Sequence, residues 1–226
     1  MIRALLLFIA LSMFPAATQA APAKNWAQTV TLNKEGAHVI GNPAAKTRLI
    51  EYVSYTCPHR AHFVAEGTAP LKAGWVAKGT VAVEIRNLVR DRYDFTAALL
   101  ARCGGPAKFP GNHEALFAAQ NDWIAKAQAY EGQPSTLPDD AKPAAVMTEI
   151  ADKTGMLALM AKRGVTPAQS RACIASQPAF NAVMAMTKRA VDQDHVTGTP
   201  GFLIDGKLTN AHDWTSLKPS LPAPVK

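Results

Sequence analysis

Three cysteines, Cys57, Cys103 and Cys173, have the widest chemical reach in this 226-residue sequence. Cys57 has the most informative neighbours. An aliphatic and aromatic run over residues 47–55, TRLIEYVSY, leads to it, and CPHRAHFVAEG follows. That order reads as a strand delivering a thiol to the start of a helix. Thr56 is the expected N-cap, and Pro58 falls in the first turn, where a missing N–H is harmless. A thiol at that point faces unpaired backbone N–H groups and the positive end of the helix dipole. Both favour thiolate, the form that attacks disulfides. His59 and Arg60 add positive charge nearby. Taken alone, a single cysteine reads more plainly as an incidental buried thiol, so the rest of the sequence has to decide.

The other candidates are weaker. Cys57, His59 and His62 form a C-x-H-x-x-H pattern of metal-ligating types, but no fourth ligand lies near, so no metal is expected. His62 reads as a helix-surface or packing residue, and His195, just before the TGTPG loop, as a structural histidine that could instead face the active site. His113 and His212 are read as beginning helices and His38 as lying on a strand edge. No G-x-S-x-G elbow offers a serine nucleophile. Arg60 can pair with a carboxylate on the protein or a substrate, or stand on the surface with no role.

Elements must hold Cys57 in place. TVTL and HVIG flank LNKEGA as a small hairpin or edge strand. After Cys57, Gly67 is a natural helix stop, and a second short helix over about 70–78 closes at Gly79. VAVEIRNLV, residues 81–89, is the next strand, which completes a βαβ unit. From about 93 to 194 apolar residues recur at helical spacing, interrupted by the polar, Pro-rich EGQPSTLPDDAKP. Met147, Met156, Met160, Met184 and Met186 fall on these helices and read as core filling. GFLIDGKLTN returns to two strands joined by Asp205-Gly206, and DWTSLKPSL is a last short helix.

Composition sets the setting. Hydrophobic residues make up 48% and charged residues 18%, as in a globular chain. Arg3, an apolar run over 4–14, Pro15 and AATQAA form a cleavable export signal over residues 1–20, too short to span a bilayer. No stable membrane insertion is expected after its removal. Export admits disulfides, and an odd cysteine count leaves at least one thiol. A structural bridge between Cys103 and Cys173, both in the helical block, would stabilise by roughly 4 kcal/mol on the chain-entropy model; two free, buried thiols are the alternative. The net charge of +7 is scattered, with no nucleic-acid motif.

EYVSYTCPHRAHF resembles the active-site segment of DsbA-like thiol:disulfide oxidoreductases, in which a strand leads into Cys-Pro-His-Cys and a helix. VTGTPGFLIDG resembles the cis-proline loop and following hairpin of the same family. The resemblance implies an α/β, thioredoxin-like domain over 21–92 and 195–226, with a helical insertion over 93–194 between its βαβ and ββα halves. It implies that Cys57 is the nucleophile, that Pro58 and His59 tune it, and that Thr199 and Pro200 hold extended substrate backbone. Arg60 stands where the family has its second, resolving cysteine. The ordinary dithiol cycle is then closed at this motif. The resemblance implies thiol–disulfide exchange on exported, cysteine-containing proteins or peptides in a periplasm, by a monothiol route that uses glutathione or another small thiol and no cofactor. The alternative is a redox-inactive module that binds peptides or a partner.

Overall fold

A computed structural model describes residues 24–133 and 136–224. The export-signal reading of residues 1–20 lies outside them. Six strands form one sheet in the order β1-β2-β4-β3-β5-β6. They are β1 (Val30–Leu32), β2 (His38–Ile40), β3 (Thr47–Val53), β4 (Val81–Asn87), β5 (Gly201–Ile204) and β6 (Lys207–Leu208). β3 and β4 run parallel, with Thr47 opposite Val81 and Val53 opposite Asn87. The other neighbours are antiparallel. The parallel pair is the βαβ unit expected from residues 47–89, and α1 (Pro58–Leu71) is its crossover.

β3 is central, and its side chains alternate between two cores. Leu49 and Val53 enter the main core with Phe63, Trp75 and Phe202. Ile50 and Tyr52 enter a smaller one with Ala190, Val196 and Leu203. The same alternation places Glu51, buried at 2% exposure, on the Leu49 and Val53 face. Between β4 and β5 lie seven helices of the described residues: α2 (Arg92–Ala101), α3 (Phe109–Ala118), α4 (Gln120–Glu131), α5 (Pro143–Lys153), α6 (Met156–Lys162), α7 (Pro167–Ile174) and α8 (Gln177–Asp192). α9 (Trp214–Leu217) follows β6, with a 3-10 turn over Lys218–Ser220 after it. The sulfurs of Cys103 and Cys173 are bonded at 2.15 Å across a sequence separation of 70, tying the loop after α2 to α7. Met147, Met156, Met160 and Met186 are buried, whereas Met184 is 45% exposed.

Several local expectations are corrected. Gly67 does not stop a helix: α1 continues through it and through Pro70, and a π turn over Lys72–Val76 follows. Gly67 is there for space. A Cβ at that position would meet the Phe63 ring at 3.1 Å and Trp214 Cβ at 3.2 Å. Thr56 is not the N-cap; Cys57 is, one residue later, and its side chain makes no capping bond. HEALFAAQNDWIAKAQAY is two helices, broken at Ala119. His38 is on no edge: β2 lies between β1 and β4, and the imidazole stacks on Phe109 at 3.7 Å. His113 does not begin α3; it is a buried residue in its middle.

Among the described residues no helix is long and apolar enough to cross a membrane. Among them, too, no group of three or more His, Cys, Asp or Glu residues could hold a metal ion.

Candidate active site

Cys57 leaves β3 by the turn at 54–56 and caps α1, with Pro58 at the first helical position. Its backbone carbonyl accepts from Ala61 N–H at 3.3 Å, the first bond of the helix. Its thiol reaches across to the other half of the molecule and donates to the Thr199 carbonyl at 3.0 Å. The Thr199–Pro200 peptide is cis. Gly201 then enters β5 opposite Tyr52. A Cβ on Gly201 would lie 2.5 Å from Val196 Cγ1 and 3.2 Å from the Gly198 carbonyl, so the loop can fold over itself only with glycine there.

Two sets of polar groups hold these loops. Gln120, buried on α4, donates from one amide nitrogen to the carbonyls of Tyr55 at 2.7 Å and Cys57 at 3.0 Å. Asp94, buried on α2, accepts from the Tyr55 N–H at 2.6 Å and the Arg90 N–H at 3.1 Å. Thr56 donates to Asp91 at 2.9 Å. The inserted helices therefore fix the segment that carries Cys57. On the opposite side, Asp194 accepts from Tyr52 at 2.6 Å and Arg86 at 2.7 Å, which anchors the approach to the cis-proline loop.

The charge beneath Cys57 is unusual. Arg60 is not a surface residue: it is 1% exposed, and its Nη2 donates to the Glu51 carboxylate at 2.5 Å. Its guanidinium lies 4.7 Å from the Phe63 ring and 5.5 Å from the Phe117 ring. Its remaining nitrogens, Nε and Nη1, have no hydrogen-bond partner, and the ring faces are what they meet. Burial pushes the Glu51 carboxyl up, and the Arg60 charge works against that rise. Tyr55 hydroxyl and His113 Nδ1 share a hydrogen bond of 2.8 Å close by. Burial, followed by the charges of Arg60 and Lys72, holds the His113 imidazole well below its ordinary range.

The structure thus brings Cys57, Pro58, Thr199 and Pro200 together and places His59 exposed at the helix start. It buries Arg60 against Glu51, away from the surface. Cys103 and Cys173 are paired with each other, and His62 is a surface residue bonded to Glu66 at 3.1 Å. His195 is exposed, in a left-handed conformation with φ 52°. Glu51, Asp94 and Gln120 were not anticipated. A charged residue inside the otherwise apolar run LIEYV was the available signal for Glu51; the other two bonds are long-range and leave no local trace.

A family model described as Thioredoxin matches residues 33–221. The crystal structure of a protein-disulfide isomerase from Novosphingobium aromaticivorans is 38% identical, covers 82% of this chain and 95% of that one, and superposes with a TM-score of 0.72. The crystal structure of Wolbachia pipientis alpha-DsbA1 is 19% identical over 84% of this chain and 90% of its own, with a TM-score of 0.64, and shares the fold. A Rickettsia bellii protein named for protein-disulfide oxidoreductase activity is 24% identical over 83% of this chain. This chain spans 64% of that protein's length.

Proposed function

Since this chain belongs to the thioredoxin family, matched over residues 33–221, we propose that it carries out thiol–disulfide exchange through one sulfur, that of Cys57. The observation that carries the reading is the contact between Cys57 Sγ and the Thr199 carbonyl at 3.0 Å. It joins the thiol at the start of α1 to the cis-proline loop while every other cysteine is paired. The thiolate attacks a substrate disulfide, forms a mixed disulfide and expels the second substrate sulfur as thiolate. Arg60 carries no sulfur, so the mixed disulfide must be opened by a thiol from outside.

In this reading Pro58 and His59 shape the helix start around the nucleophile, and Thr199 and Pro200 hold substrate backbone beside it. The substrates are exported proteins or peptides with cysteines. The chain works in a periplasm after loss of residues 1–20. The names of the Novosphingobium and Rickettsia proteins support the reaction class.

The test is capture. The mature chain, residues 21–226, is mixed with a disulfide-linked peptide, quenched with acid and mapped by mass spectrometry. A peptide adduct on Cys57, absent in Cys57→Ser, is expected. An adduct-free Cys57 in folded protein sinks the reading and leaves a redox-inactive binding module.

A further inference from the structure

One side chain meets both ends of the loop that presents Thr199 to Cys57. Residues 193–200 connect α8 to β5. Where the loop ends, Gly201 stands opposite Tyr52 in the ladder between β3 and β5. Where it begins, the Tyr52 hydroxyl donates to Asp194 Oδ2 at 2.6 Å. Arg86 is the partner of Tyr52 in the parallel ladder between β3 and β4, so the two side chains share a face of the sheet. Its Nη1 donates to Asp194 Oδ2 at 2.7 Å and to the Tyr52 hydroxyl at 3.1 Å. Its Nε donates to Glu84 at 2.7 Å, which fixes the guanidinium from behind.

The hydroxyl is not there to fill space. Tyr52 is fully buried among Ile50, Ala190, Val196 and Leu203, neighbours that ask only for an apolar ring. Burial, followed by the bond to Asp194, pushes its phenol up to about 12, so it stays a donor at neutral pH. Between the two ends of the loop Val196 is held down as well, its N–H donating to the Ala190 carbonyl at 2.8 Å. Thr197 and Gly198 are exposed, so the seat of Thr199 depends on these ties on either side of it.

We infer that Tyr52, acting through Asp194, is a positioning residue that sets the cis-proline loop against Cys57 and so favours polypeptide disulfides over small ones. The inference rests on the single-sulfur exchange proposed above, in which Thr199 and Pro200 hold substrate backbone. A polypeptide disulfide held by that loop reaches Cys57 Sγ in line only while the loop keeps its place, and a misplacement of about 1 Å can cost on the order of a hundredfold in rate. A small aromatic disulfide has no peptide backbone to align. Its rate follows the sulfur of Cys57 and not the seat of the loop.

The test compares two disulfides on the mature protein, a disulfide-linked peptide and the symmetric aromatic disulfide of thionitrobenzoate. Adduct formation at Cys57 is followed by acid quenching and mass spectrometry. Tyr52→Phe keeps the ring in its core and deletes only the hydroxyl. It should lower the ratio of the peptide rate to the small-disulfide rate by about tenfold, the loss of one hydrogen bond to a charged group. Asp194→Ala should lower the ratio at least as far. The double variant should fall no further than Asp194→Ala, because the hydroxyl acts through that carboxylate. An unchanged ratio in Tyr52→Phe, or single effects that multiply in the double variant, overturns the assignment and leaves the exchange reading standing. Failure of Cys57 to take either disulfide in the folded parent protein overturns both.

Discussion

The Arg60 guanidinium and the Glu51 carboxylate meet at 2.5 Å with both side chains almost wholly shut off from solvent, at 1% and 3% exposure. α1 brings one and β3 the other, so the contact welds the helix that Cys57 caps to the central strand. A buried pair of this kind contributes little net stability but is costly to break, because the survivor is left charged and alone.

Arg60→Met and Glu51→Gln should therefore each lower the unfolding free energy by roughly 3–5 kcal/mol, and the Glu51→Leu/Arg60→Met double variant should recover most of it. Arg60→Cys carries the same penalty, so a dithiol engineered at this motif should be a weakened protein at neutral pH. Urea unfolding of the four variants checks this. Single variants within about 0.5 kcal/mol of the parent sink it.

Gln120→Ala removes the side-chain donor shared by the carbonyls of Tyr55 and Cys57, the second of which also accepts from the Ala61 N–H. A buried acceptor left open at Tyr55 should lower stability by about 1–3 kcal/mol. The same variant should alter the rate of adduct formation at Cys57 in stopped-flow measurements, since the segment carrying the sulfur loses its tie to α4. An unchanged rate would show that Gln120 only supports the fold.

Two buried groups give stability opposite dependences on pH. Burial pushes the Asp94 carboxyl up from 3.8 to about 7. Between those values the folded chain keeps a proton that the unfolded chain releases, so stability falls as pH rises through the window. Burial, followed by the charge of Arg102, holds the His38 imidazole down from 6.5 to about 3. Between those values the unfolded chain takes up a proton that the folded chain refuses, so stability rises with pH. Each slope is about 1.4 kcal/mol per pH unit. Asp94→Asn should expose the rising slope and His38→Leu the falling one in unfolding curves taken across the range. Profiles parallel to the parent's in both variants would refute the assignment.

Cys103→Ala/Cys173→Ala opens the bridge across 70 residues. A loss of about 4 kcal/mol is expected on the chain-entropy model. Labelling of Cys57 should survive, because the bridge ties the loop after α2 to α7 and lies outside the turn at 54–56. The check is a denaturant titration beside a thiol count.

The sequence made the βαβ unit, the Asp205-Gly206 hairpin and the position of Cys57 readable because each depends on neighbours along the chain. In the hairpin, Asp205 and Gly206 take φ of 50° and 80°, the conformation their residue types favour. Gly67 misled for the opposite reason. Its small size answers to Trp214, far along the chain, so a local stop signal was read where tertiary packing ruled. Arg60 shows the same limit. A surface place and a pairing with a carboxylate were both open to it, and the partner supplied by β3 decides for the pairing. Asp94 and Gln120 belong to helices whose apolar spacing could be read, yet what they hold lies across the fold.

The bridge between Cys103 and Cys173 bears on how the molecule comes into being. Closing it takes two electrons and two protons out of the chain, and a lone sulfur at position 57 cannot accept both and return to its starting state. The oxidant must come from another molecule. A chain proposed to rearrange the sulfur bonds of others is thus itself a client during maturation, dependent on a supplier upstream. In a cell without that supplier it would emerge with its helical layer unclasped and three thiols in place of one.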